Sequence, residues 1–258
     1  MTISPIPPCI ADLKPYFTKY LNVFGVHIVA VEDIPDTRVR HTANIMAEYL
    51  DNDGDGKVDN KAIVSKLIEN KALFSLFRST SQMNTMQYKS RKSMAIFKAY
   101  KMEFNLFKND EYLNESDIDF TLEETLHLIT GFGFAFAFPA VFGENSGSTL
   151  GKITLEAIAD CGLAYKHTYK WPYCKGVYHY KDPTCKMNCL TSELIYWGLT
   201  SILGIQKKPV RAAYISNEWE LYNKLLLRTK LPQLYHLLTD PKYRFPTVAP
   251  VGHYGNTC

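Results

Sequence analysis

The residues best placed to do chemistry lie in "LEETLHLITGFG", residues 122–133. Side chains four residues apart share one face of a helix, so a helix here sets Glu123 beside His127, with Glu124 one position round. A carboxylate and an imidazole one turn apart can hold a divalent metal ion, and a neighbouring carboxylate can take a proton from water that the ion activates. Leu126, Leu128 and Ile129 would seat this helix in a core, where a half-buried acid and histidine are costly unless paired or metallated. The competing reading is a surface helix with acids in its first turn, favoured by the helix dipole, and a hydrogen-bonded core histidine.

A tetrahedral site needs a further ligand. "ITLEAIADCG" offers Glu156, with Asp160 one turn on, and Asp160 or Glu193 could replace Glu156 as donor. A histidine six residues after His127 would complete a longer pattern, but Gly133 stands there and excludes it. Glu124-x-x-His127 also reads as half of a di-metal carboxylate motif, whose second E-x-x-H is missing. Together, "EETLH" and "LEAIAD" resemble the metal-site helices of thermolysin-like gluzincins, zincin-like metallopeptidases whose motif is H-E-x-x-H. The resemblance implies Glu123, His127 and Glu156 as ligands of Zn2+ or another divalent transition metal. It further implies Glu124 as general base and Asp160 as an outer residue. Glu123 stands where that family has histidine. The extra negative charge would leave bound water less acidic and make the site more tolerant of manganese or iron.

"DNDGDGKVD" carries a second set of donors. Asp51, Asp53 and Asp55 occupy positions one, three and five of a calcium loop, Gly56 the sharp turn at six, Lys57 the carbonyl position and Asp59 position nine. The twelfth position, a bidentate Glu in an EF-hand, is Ala62. A shorter D-x-D-x-D-G loop remains, similar to the calcium repeats of many secreted proteins. The expected ligand is Ca2+, bound weakly enough to suit millimolar extracellular calcium and clipping two helices together. The alternative is a solvated acidic turn.

Length and composition fit a globular chain with a real core: 258 residues, 46% hydrophobic and 21% charged. A net charge of +3 with scattered basic residues argues against a nucleic-acid footprint. No apolar run is long enough for a membrane span. The N-terminus has no basic start, apolar core or small-residue cleavage pattern. Six cysteines, Cys9, Cys161, Cys174, Cys185, Cys189 and Cys258, lack C-x2-C knuckles; their even count favours disulfides and a secreted, extracellular protein.

The elements that must position these residues follow from periodicity. "VFGVHIVAVEDI" reads as a buried strand, "DTRVRHTANIMAEYL" as a helix, and "NKAIVSKLIENKALFSLF" as a helix running through Phe74. Residues 78–92 read as a polar loop, "SMAIFKAYKMEF" as a strand, and "KNDEYLNESDID" as a polar stretch. A helix starts near Thr121, capped by Asp119 or Thr121, with Glu124 placed for a capping box. "KITLEAIADCGLAY", "TSELIYWGLTSILG" (capped by Thr191 or Ser192) and "SNEWELYNKLLLRT" read as further helices, with Trp171, Trp197 and Trp219 in the core.

The expected fold is α+β, mainly helical with a small sheet and zincin-like metal-site helices. Residues 1–258 are expected to form a single domain; a subdivision, if present, would set 1–78 with the calcium loop apart from 93–258. The expected function is a secreted, calcium-stabilised, metal-dependent hydrolase acting on a peptide or small-molecule substrate. A non-catalytic calcium-binding module, or a metal-dependent redox or lyase enzyme, are the alternatives.

Overall fold

The computed structural model describes residues 1–106 and 119–255. The fold is α+β, mainly helical with a small mixed sheet. The chain forms two compact units, Met1–Gly133 with Pro250–Cys258, and Phe134–Ala249. The stretch 108–118 read as polar, and Cys258, lie outside the described residues.

In the first unit, "VFGVHIVAVEDI" holds a hairpin turn rather than one strand. Strands β1 (Lys19–Val23) and β2 (Val26–Ala30) pair antiparallel across Phe24 and Gly25. Phe24 and Gly25 both have positive φ, +50° and +92°, and Gly25 N–H donates to Asn22 Oδ1 at 2.9 Å. Helix α1 (Asp36–Leu50) follows Pro35 and buries Val39, Ala43, Met46, Ala47 and Leu50, as its spacing predicts. Helix α2 (Lys61–Glu69) is capped by Asn60, whose side chain accepts from the N–H groups of Ala62 and Ile63.

The expected continuation of α2 to Phe74 is corrected. The helix stops at Glu69, Lys71 turns with φ +52°, and strand β3 (Ala72–Phe77) begins. β3 is buried at every residue: it pairs in parallel with β2 on one edge and with strand β4 (Lys101–Leu106) on the other, and helices of the same unit pack over it. A strand covered on both faces shows a continuous apolar run, which periodicity does not separate from a buried helix.

Most of residues 78–92 is helical rather than loop. Helix α3 (Thr80–Gln87) is capped by Ser79, and helix α4 (Arg91–Ala99) by a reciprocal pair of bonds between Ser90 and Ser93. "SMAIFKAYKMEF" is therefore split between α4 and β4. Helix α5 (Phe120–Ile129) closes the main part of this unit. Residues 250–255 then lie along α1. The Glu48 carboxylate accepts from the backbone N–H groups of Val251, Gly252 (3.0 Å) and His253 (2.5 Å), and Asn44 Nδ2 donates to the Gly252 carbonyl at 2.8 Å.

The second unit contains the short helices α6 (Ala135–Ala137) and α7 (Pro139–Phe142), then α8 (Thr149–Ile158), α9 (Met187–Ile202), α10 (Pro209–Ile215), α11 (Lys224–Lys230) and α12 (Pro232–Thr239). α9 is its axis, buried through Leu190, Leu194, Ile195 and Leu199. A Cβ on Gly198 would stand 2.8 Å from the side chains of both Leu234 and Leu238, so the absent side chain lets α12 approach α9. α9 starts at Met187, before the expected caps, and Thr191 Oγ1 instead bonds back to the Met187 carbonyl at 2.9 Å. "SNEWELYNKLLLRT" is not one helix: residues 216–223 leave the helical path, and Asn223 caps α11.

Trp197 and Trp219 are buried, as expected of core residues, whereas Trp171 is half-buried and stacks on His179. Two disulfides join Cys161 to Cys174 and Cys185 to Cys189. Cys9 is exposed and forms no disulfide among the described residues. No helix among the described residues is long and apolar enough to cross a membrane.

Candidate metal sites

The acid and histidine of α5 are positioned from its first turn. Asp119 is the N-cap: its Oδ1 accepts from the Thr121 N–H at 2.9 Å, and its Oδ2 meets His41 Nε2, on α1, at 2.5 Å. Tyr49, also on α1, donates its hydroxyl to the Leu122 carbonyl at 3.1 Å. Of the two expected caps, Asp119 is the one used; Thr121 is buried inside the helix, where Asn105 Nδ2 reaches its hydroxyl. Thr121, Thr125, Leu126, Leu128 and Ile129 are buried, and the other face carries the polar residues.

On that face His127 Nε2 lies 3.9 Å from Glu123 Oε1, with side chains 12% and 21% exposed. Glu124 is half-buried beside them. Behind His127, Glu103 of β4 has its carboxyl pushed up by burial, partly offset by the His127 charge and the Phe104 N–H. Burial also drives the Tyr49 phenol far above its usual range, and the negative charges of Asp119, Glu123 and Glu48 add to the shift. The first unit thus gathers acidic groups around the base of α5. Such a field favours a cation near Glu123 and His127, so the donors present suit a divalent ion.

Glu156 and Asp160 belong to the second unit. Glu156 is exposed on α8 and accepts from Gln233 Nε2 at 3.1 Å. The expectation that Asp160 follows it one turn on in the same helix is corrected. α8 ends at Ile158 because the Ala157 carbonyl is taken by the N–H groups of Val177 (2.8 Å) and Tyr178 (3.2 Å), and Ala159 turns with φ +47°. Asp160 sits in the following short turn, where its Oδ1 accepts from the Lys175 N–H at 2.7 Å. Glu193, on α9, is buried, and Tyr180 donates its hydroxyl to Glu193 Oε1 at 3.3 Å.

The acidic loop joins the end of α1 to the start of α2. Asp51 is the C-cap of α1 and buried, while Asp53 and Asp55 are exposed, and each of the three offers an oxygen within 4.8 Å of the others. Gly56 turns the chain with φ +84°, and its N–H donates to Asp51 Oδ2 at 2.9 Å. The Asp55 N–H is shared between Asp51 Oδ1 and Asp53 Oδ1, both at 3.2 Å. Asp59 turns inward and accepts from the Asn52 N–H at 2.7 Å. Lys57 donates both its backbone N–H (2.8 Å) and its ammonium (3.3 Å) to Asp55, and these bonds hold the Asp55 carboxyl below its usual range. The Tyr254 hydroxyl also donates to Asp51 Oδ2.

Sequence reasoning did not find His41, Glu103 or Tyr254. His41 lies 78 residues from Asp119, and Tyr254 lies 203 from Asp51, so only tertiary pairing brings them together. Comparison of the chain with protein-family models, curated proteins and solved structures finds no match.

Proposed function

We propose that the chain is a calcium-stabilised, metal-dependent hydrolase that works outside the cell and uses α5 in the zincin-like manner. The observation that carries this reading is the Glu123–His127 pair, half-buried and one turn apart on a helix. A divalent ion held there, Zn2+ or a harder transition metal, would supply Lewis acidity toward a substrate carbonyl and acidify water. Glu124 takes up the proton from water and returns it to the leaving group. Asp119, His41 and Tyr49 fix the first turn of α5, and with it the orientation of the donors. The resemblance puts the third donor at Glu156; metal content of the E156Q, D160N and E193Q variants assigns it.

The acidic loop supplies the calcium part of the proposal. Three converging carboxylates repel one another unless a cation neutralises them, and Gly56 already provides the turn that a calcium loop needs. Calcium there stiffens the end of α1, the helix that carries His41 and Tyr49. Two disulfides and a loop without its twelfth ligand suit an oxidising, calcium-rich extracellular setting.

The second reading, a calcium-binding module without catalysis, is favoured by one observation: Glu156 is exposed and bonded to Gln233. The test uses the purified chain with added Zn2+ or Mn2+ against a mixed peptide library. Cleavage that disappears in Glu124→Gln, with metal content unchanged, supports the enzyme. Cleavage that survives in Glu124→Gln removes the base assignment. No cleavage with calcium as the sole bound metal supports the module.

A further inference from the structure

We propose that Cys161–Cys174 in the second unit is a thiol-exchangeable disulfide, and that its reduction sets free a Cys161–His179–Glu220 triad. His179 is fully buried between the two other members. Its Nδ1 lies 3.4 Å from Cys161 Sγ, and its Nε2 lies 3.0 Å from Glu220 Oε1. The ring is held in place: Trp171 stacks on it at 3.8 Å and 22°, the Tyr169 hydroxyl donates to the His179 carbonyl at 3.0 Å, and the His179 N–H donates to the Glu218 carbonyl at 2.7 Å. The Gly176 N–H points at Cys161 Sγ from 3.2 Å. A bridge that only ties chain together needs neither an oriented imidazole nor an N–H donor on its sulfur. Both are what a departing thiolate needs.

The two sulfurs are also unequal. Cys161 is 0% exposed, whereas Cys174 is partly open to solvent and is the sulfur an incoming thiol can reach. The Glu220 carboxylate accepts a hydrogen bond from Nε2–H, which leaves the Nδ1 lone pair facing Cys161 Sγ. An external thiol ionises, and its thiolate attacks Cys174 Sγ. The S–S bond breaks, and its electron pair passes to Cys161 Sγ. That thiolate is met by the Gly176 N–H, while the proton shed by the external thiol goes to His179 Nδ1, entering by the same part-exposed Cys174 side as the thiol. The result is an imidazolium–thiolate pair balanced by the Glu220 carboxylate, with Cys174 held as a mixed disulfide. A second external thiolate attacks that mixed disulfide, leaves joined to the first, and releases the Cys174 thiolate. Two thiols are oxidised and one disulfide is reduced, so electrons and protons balance. The co-reactants are low-molecular-weight thiols or a protein dithiol, and in the reverse direction the free triad reduces a disulfide. None of the three triad residues is itself one of the candidate donors for the transition metal or calcium, and none lies on α5 or in the acidic loop.

The test is exchange of the full chain with reduced glutathione, quenched by acid, alkylated and mapped by peptide mass spectrometry. Cys161–Cys174 should open faster than Cys185–Cys189, the bridge in the same unit. Glu220→Gln and His179→Gln should each slow it, His179→Gln by about tenfold, the size expected when a leaving thiolate loses its stabilising partner. Equal opening of the two bridges, or opening of Cys161–Cys174 at the wild-type rate in a folded His179→Gln, overturns the proposal. If His179→Gln does not fold, Glu220→Gln carries the test, because its side chain is 43% exposed; exchange at the wild-type rate in that variant overturns the proposal.

Discussion

Replacing Asp119 by alanine tests how α5 is held. The carboxylate has two separable duties: Oδ1 caps the helix through the Thr121 N–H at 2.9 Å, and Oδ2 meets His41 Nε2 at 2.5 Å. Loss of an N-cap costs about 1 kcal/mol. Depriving a largely shielded ring nitrogen of this partner costs about 1–3 kcal/mol; the two side chains are 22% and 19% exposed, so solvent replaces the bond only partly. Asp119→Ala should therefore lose about 2–4 kcal/mol. Asp119→Asn keeps a good capping oxygen and should lose only the His41 part. Urea denaturation of the two variants, with His41→Ala to complete a double-mutant cycle, gives these numbers directly. The pH dependence carries a sign of its own. Burial raises the Asp119 carboxyl, but the bond to His41, the His41 charge and the bonds from Thr121 outweigh it and leave the group below its usual range. The folded pKa is thus depressed, so this stabilisation is complete above the unfolded value of about 3.9 and is lost as pH falls through the folded value. The gap between wild type and Asp119→Asn should accordingly close at acidic pH. Equal losses in Asp119→Ala and Asp119→Asn, or a cycle with no coupling to His41, would refute the reasoning.

The other predictions concern the tail and the acidic loop. Glu48→Gln leaves one acceptor oxygen where the carboxylate serves three N–H groups, so hydrogen exchange at Val251, Gly252 and His253 should accelerate; exchange at the wild-type rate would count against the clasp. Terbium, a luminescent calcium substitute, should bind the acidic loop, with affinity reduced at least about tenfold in Asp51→Asn; binding that ignores this change would remove the loop assignment. Gly56→Val places a branched side chain at φ +84° and should cost about 1–2 kcal/mol while weakening the same titration, whereas normal binding would show that the turn is not required.

Much of the first unit was legible because local chemistry decides it. The spacing of Val39, Ala43, Met46 and Leu50 fixes α1, and the aspartates with Gly56 fix the loop after it. Glu123 and His127 fall on one face of α5 because the helix is regular through both. The strand β3 reads as helix because it is covered on both faces and shows no alternation. The helices α3 and α4 read as loop because their propensity is weak and the serine caps that start them look like turn residues. Glu156 and Asp160 read as one helix because nothing local announces that Val177 and Tyr178 will capture the Ala157 carbonyl. His41, Glu103 and Tyr254 carry no local signal for the same reason: each meets its site neighbour only through the fold.

The most direct test of the central claim is the transition-metal content of the purified chain, measured by elemental mass spectrometry after calcium is exchanged away. A stoichiometric divalent transition metal is expected, lost in Glu123→Ala and in His127→Ala. A chain that carries no transition metal after incubation with Zn2+ or Mn2+, or one whose metal is unchanged in both variants, would contradict it.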